Sequence, residues 1–317
     1  DTLQTSSPSV TIKLLNDDFK VANLEANSDL TIEDDDDAGD ASRTFFADGV
    51  VSGDLTISNI NDGAFLDLAG TLSIRGNFAN NFGFNPNGNA VVLNGAGTQT
   101  LNGDFSGGAS FDKLTIDSTG TDVTANTRVR VAQSLVLDEE GGNNGGNNFD
   151  ENVSFSISDG GGTDLIIGGT FDDNAGGFTA PSGTLTEFED GSSVSNGSNL
   201  SFYSLEILGG GTSTLNAPIT VNNVLTVNDG NTFDITDNTV TLTGDNLRGP
   251  GNITGDGVLE FTSSGIQELA NISNSTIASV SALNGTTVQV SGVTTGDSFT
   301  IAGDLIVNGG GTFTLGN

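Results

Sequence analysis

Asp34, Asp35, Asp36 and Asp37, preceded by Glu33 and followed by Asp40, form the densest run of acidic side chains in the sequence. Calcium takes about six to eight oxygen ligands, so a run of this kind is a candidate calcium site. The run departs from the EF-hand pattern, because Ala38 stands where an oxygen ligand is needed before Gly39. A solvated acidic loop is the competing reading, and both stay open. GGNNGGNNFDENV at 141–153 and GGTDLIIGG at 161–169 share Gly and Asp with calcium-binding β-rolls, but those require tandem nonapeptides and none follow here. Glu187, Glu189 and Asp190 make one further acidic cluster beside a turn.

Catalysis has little to work with. Two carboxylates at a set separation suit glycoside hydrolysis, and Asp is plentiful. The chain has no His and no Cys, which excludes imidazole bases, thiol nucleophiles and the usual zinc, haem and iron–sulfur ligand sets. The basic side chains are Lys13, Lys20, Lys113, Arg43, Arg75, Arg128, Arg130 and Arg248, and none falls in an acidic constellation. Arg128 and Arg130 alternate with Val129 and Val131, which predicts that they point outward from one strand. The expectation is a protein that is not an enzyme.

The elements that must carry these residues follow from composition and spacing. Asp plus Glu number 41 against 8 Lys plus Arg, a net charge of −33 over 317 residues. Nucleic-acid binding needs clustered cations, so nucleic acid is excluded as a partner, and direct membrane insertion is disfavoured. No apolar run reaches the roughly 20 residues of a membrane helix. With no initiator Met and no basic-then-apolar start, the chain reads as a processed or excised piece of something longer. Gly, Asn, Asp, Ser and Thr recur every few residues and disfavour helix. Apolar residues recur at spacing two, as in Leu55/Ile57, Leu114/Ile116, Leu205/Ile207 and Val240/Leu242. Many strands of about four to six residues with tight turns are predicted.

The sequence repeats. ITVNNVLTVNDGNTFDI at 219–235 aligns with FTIAGDLIVNGGGTFTL at 299–315, an offset of 80 residues. LSIRGNF at 72–78 matches LIIGGTF at 165–171, SFDKLTI at 110–116 matches SFYSLEI at 201–207, and GAGTQTL at 95–101 matches SSGIQEL at 263–269. These matches describe about three imperfect copies of 80–95 residues across 51–317, each divisible into coils of about 20–30 residues, with 1–50 as a separate strand and acidic-loop segment. A strand with two inward apolar residues cannot close a core alone. Stacked on like strands, it builds ladders of Val, Ile, Leu and Phe, and its backbone bonds to the coils on either side.

Residues 76–103, GNFANNFGFNPNGNAVVLNGAGTQTLNG, and 110–137, SFDKLTIDSTGTDVTANTRVRVAQSLVL, resemble the repeats of large secreted surface proteins of Bacteroidetes-type bacteria. The resemblance covers most of 50–317 and implies an all-β, right-handed parallel β-helix (a β-solenoid) working outside the cell in adhesins or extracellular fibres. It transfers no functional residues. Pectin hydrolases of this fold carry a His-containing motif, which this chain cannot supply. Three tandem β-sandwiches are the alternative architecture, since a period near 90 suits that fold as well.

A solenoid has two open ends, and an isolated one needs caps. The strand of Phe313 and Leu315 is the last in the sequence, and Ser9–Lys13 is similar to Thr239–Thr243, which follows the earlier copy of that strand. Val10, Ile12, Phe313 and Leu315 are therefore the expected self-assembly residues, the C-terminal coil of one copy being capped by the N-terminal coil of the next in a head-to-tail fibre. Two alternatives accompany this reading. One is a stalk segment of a giant adhesin, capped by covalent neighbours. The other is a calcium-dependent module that binds carbohydrate or another surface.

Overall fold

Short alternating strands bury their apolar side only by stacking, and this is what the chain does in the computed structural model. The structure describes all residues except 1, 6, 15–18, 35–42, 60–64, 82, 118–121, 139–153, 158–163, 175–177, 198–199, 245, 271–275, 284, 292–299 and 316–317. The chain divides into two units, 1–160 and 161–317, and each is a parallel β-solenoid. A coil holds up to three strand positions. The first and second lie in one sheet, except that Thr276–Ile277 and Thr300–Ile301 pair as a separate two-stranded sheet, and the third lies in another.

In the unit 1–160 the third position is a seven-stranded parallel sheet: Ser9–Leu14, Asp29–Asp34, Leu55–Asn59, Phe78–Asn80, Gln99–Gly103, Asp122–Ala125 and Ser154–Ile157. Its register makes a continuous inward column of Val10, Leu30, Leu55, Phe78, Leu101 and Ala125. The second position begins with Thr2–Thr5 and continues through residues 23–26, 49–51 and 72–74. The described strands within 1–50 thus stack in the same ladders as the coils after them. Phe78, Phe84, Phe105 and Phe111 fill the middle of this core, with ring centroids 4.9–6.3 Å apart.

In the unit 161–317 the third position is a six-stranded sheet of Leu200–Phe202, Ile219–Val221, Thr239–Leu242, Val258–Phe261, Ser279–Ala282 and Leu305–Val307. The first position carries the inward column Thr186, Leu205, Leu225, Leu247, Leu269, Val290 and Leu315. Four coils separate Leu225 from Leu315. Residues at one position therefore recur about every 18–25 residues, as side-chain ladders require.

The 80-residue sequence repeat does not preserve strand position. Ile219–Val221, Val224–Val227 and Thr232–Asp234 occupy third, first and second positions. Their counterparts Thr300–Ile301, Leu305–Val307 and Thr312–Leu315 occupy second, third and first. The physical reason is that all three faces ask for the same residues, an apolar-x-apolar strand followed by a polar corner.

Corners are fixed by side chains that reach the next coil. Asp29 Oδ1 accepts from the Asp54 backbone N–H (2.9 Å), Asp54 Oδ1 from that of Asn77 (2.7 Å), and Asn77 Oδ1 from that of Thr100 (2.8 Å). Each closes one donor that a corner would otherwise leave open. Among the described glycines, Gly103 marks the tightest approach to another backbone. Its φ is +101°, and a Cβ there would lie 1.9 Å from the carbonyl oxygen of Asn80. Gly103→Ala should destabilise the unit 1–160 by about 3 kcal/mol, the sum of a left-handed alanine and a displaced backbone. A urea melt checks this, and an unchanged midpoint would refute it.

Candidate functional site

The columns that run buried through each unit surface at its outer coil. Val10 and Ile12 are half-buried, whereas Leu30 and Ile32, their partners in register, are fully buried. Thr2–Thr5 and Ser9–Leu14 pair on one side, with residues 23–26 and with Asp29–Asp34. At the far coil of the unit 161–317, Leu305, Val307 and Leu315 are 46%, 44% and 71% exposed. Their partners Val280, Ala282 and Val290 are buried. Phe313 is half-buried in the column of Val288. Four of the five exposed large apolar residues among those described, Leu305, Ile306, Val307 and Leu315, belong to this one coil. Among the described residues, the outer strand edge of this coil is unpaired and carries apolar side chains.

All four residues expected at an assembly contact therefore lie in inward columns of outer coils. They do not occupy one position, however. Val10 and Ile12 are in the third position, whereas Phe313 and Leu315 are in the first. Sequence reasoning passed over Leu3, Ile301, Leu305 and Val307, whose alternation carried the same signal.

Asp34 ends the strand Asp29–Asp34, where its backbone is in register with Leu14 and Asn59. Asp35, Asp36, Asp37 and Asp40 lie outside the described residues. Among the described residues, no three acidic side chains are grouped so as to hold a metal ion. Glu187 is in register with Glu206, whose carboxylate accepts a 2.6 Å hydrogen bond from Asn228. Arg128 is exposed and Arg130 half-buried on either side of buried Val129, and Arg130 donates to the Ser110 hydroxyl at 3.3 Å. Lys13 pairs with Glu33 at 3.7 Å along the third-position sheet. No described helix is long and apolar enough to cross a membrane.

A shallow lateral groove crosses the second position of the first coils. Thr2, Asn23, Glu25, Asp48, Thr71 and Ser73 surround Leu24, Gly49 and Val50. Its polar groups are partly tied to one another, with Gln4 donating to Glu25 (2.8 Å) and the Thr71 backbone donating to Asp48 (3.1 Å).

Comparison of the chain with protein-family models, curated proteins and solved structures finds no match.

Proposed function

We propose that the chain is a non-enzymatic structural protein, a secreted β-solenoid that builds or extends a cell-surface fibre by head-to-tail stacking of copies. The observation that carries this reading is the apolar face of the coil with Leu305, Val307 and Leu315, set against half-covered Val10 and Ile12 at the other end of the sequence. Stacking is heterologous and does not close, so it yields a filament. The extracellular setting rests on the resemblance of the repeats to secreted surface proteins. Electron microscopy and light scattering of the 317-residue chain test the proposal. Rods that lengthen with concentration are expected. A monodisperse monomer at high concentration, in salt and calcium, would overturn it and leave the stalk of a larger adhesin.

Salt gives a signed prediction. Copies of net charge −33 repel one another, and the joint itself is apolar. Raising NaCl from low to physiological strength shortens the screening length to about 8 Å. The concentration needed for assembly should fall by about tenfold, equal to roughly 1.4 kcal/mol. A contact held by ion pairs would weaken instead.

The lateral groove favours a second reading, an adhesin module for carbohydrate in which hydroxyl, amide and carboxylate groups meet sugar hydroxyls across Val50. A glycan array read with and without a chelator tests both this binding and its proposed calcium dependence.

A further inference from the structure

The sequence holds seven Asn–Gly pairs, at Asn87, Asn94, Asn102, Asn144, Asn196, Asn284 and Asn308. In such a pair the backbone nitrogen of the glycine can attack the side-chain carbonyl carbon of the asparagine, because no Cβ on the glycine blocks the approach. The fold decides which pairs are held back from doing so. Asn144 and Asn284 lie outside the described residues. The Gly88 N–H donates to the Asp112 carboxylate, and the Gly95 N–H donates to Gln99 Oε1 (2.8 Å). The Asn102 amide is held at both ends, accepting from Asn126 (2.8 Å) and donating to Thr100 Oγ1 (3.0 Å). The backbone of Asn196 belongs to the strand Ser193–Asn196, where it is in register with Asp172.

Asn308 differs from these four. It is exposed, as are Gly309 and Gly310, and neither its amide nor the Gly309 N–H has a hydrogen bond to a described residue. Gly309 and Gly310 stand at φ +60° and +81°, and the turn is closed by the Gly311 N–H, which donates to the Asn308 carbonyl (2.9 Å). Releasing that exposed bond lets the Asn308 backbone rotate and bring the Gly309 nitrogen to its side chain. Asn228 shows the contrast. It opens the matching turn in the earlier copy of the repeat, and its amide donates to Glu206 (2.6 Å) on the preceding coil. Exposure of the turn is a property of the corner itself. Asp229 and Gly230 are exposed although the strand before them, Val224–Val227, pairs on both edges.

We propose that Asn308 is a site of covalent self-modification, converting without an enzyme to isoaspartate and aspartate. The Gly309 nitrogen bonds to Asn308 Cγ and gives up its proton. The Cγ–Nδ2 bond breaks, and the amide nitrogen takes up that proton through solvent and leaves as ammonia. Water then opens the cyclic imide at either carbonyl, so one water is consumed for each ammonia released. The product adds a negative charge and, as isoaspartate, one backbone carbon to the turn between Leu305–Val307 and Thr312–Leu315. This inference is independent of the head-to-tail reading.

Peptide mapping by mass spectrometry, after the full chain has been held in warm neutral buffer with and without denaturant, tests it. In the folded chain Asn308 should convert at least about tenfold faster than Asn87, Asn94, Asn102 and Asn196, which wait for local opening. In denaturant the five rates should converge. Asn308 converting no faster than the other four in the folded chain overturns the proposal. So does an unchanged ranking in denaturant, which would assign the preference to neighbouring residues and not to the fold. Asp229→Gly rebuilds the Asn–Gly–Gly order at Asn228. Asn228 should then stay slow while Glu206 holds its amide and speed up when Glu206→Ala is added; conversion as fast as at Asn308 with Glu206 in place also overturns the proposal.

Discussion

Val307→Asp should abolish end-to-end growth while leaving the single chain folded. Val307 is 44% exposed in the isolated chain, so a carboxylate there stays hydrated and the cost to folding is below about 1 kcal/mol. In the stack it would be enclosed. The column beneath it is Val221, Leu242, Phe261 and Ala282, with no hydrogen-bond donor or cation in register. Burying an unpaired carboxylate costs several kcal/mol even after relaxation. Each apolar side chain at the joint contributes roughly 1.5–3 kcal/mol when fully buried, against an association cost of about 4–15 kcal/mol. One such carboxylate cancels most of that margin, and the concentration for assembly should rise more than about a hundredfold. Sedimentation reads the assembly and circular dichroism reads the fold. Ile266→Asp is the control. Ile266 is 58% exposed but lies on the side of a coil paired on both edges, and it should affect neither reading. Equal loss from both substitutions would point to general solubility and not to a joint.

Much of this was legible in the sequence because side-chain alternation is a local property. Pairs such as Leu55/Ile57 and Leu205/Ile207 announce strands with one buried side, and the structure buries all four. Such strands can bury that side in a solenoid or in a sandwich, and the parallel ladders of the structure are those of the solenoid. Position in the coil was less legible. LSIRGNF and LIIGGTF share apolar residues at their first, third and seventh places and differ at the second, Ser73 against Ile166. Leu72–Ile74 nevertheless occupies a second position, whereas Leu165–Ile167 pairs with the first-position strand Leu185–Phe188. Three faces with the same demand look identical to any comparison of sequence. Only the ladder partners, about 18–25 residues away, tell them apart.

One sequence match did encode a specific device, and it yields the second large effect. Gln99 and Gln267 are both buried, and both straddle a corner. The Gln99 side-chain amide donates to the carbonyl oxygens of Ile74 (3.1 Å) and Gly76, and its oxygen accepts from the Gly95 N–H (2.8 Å). Gln267 repeats this with Leu242 (2.9 Å), Gly244 and the Ser263 N–H (3.0 Å). In the coil after it, Thr286 takes over part of the role, donating to the Ser263 carbonyl at 2.6 Å. Leucine has nearly the right volume but none of these bonds. The carbonyls of Ile74 and Leu242 keep backbone partners in Asn94 and Thr262. The Gly95 and Ser263 N–H groups would lose the side-chain acceptor, so each Gln→Leu change should cost about 2–4 kcal/mol. Gln99→Glu is the sharper probe. It keeps the acceptor for Gly95 but turns a carboxylate oxygen toward two carbonyls, which raises its folded pKa above the unfolded value. At neutral pH it should be less stable than Gln99→Leu. It should recover as pH falls through the raised folded pKa, because the protonated carboxyl donates one of the lost bonds. Nearest-neighbour stacking also fixes where the damage appears. Hydrogen exchange should accelerate in the coils around residues 74–101 for Gln99→Leu and around 242–269 for Gln267→Leu, with little change in the opposite unit. Uniform acceleration along the whole chain would mean that the glutamines act on the fold as a single block and not as clamps of single corners.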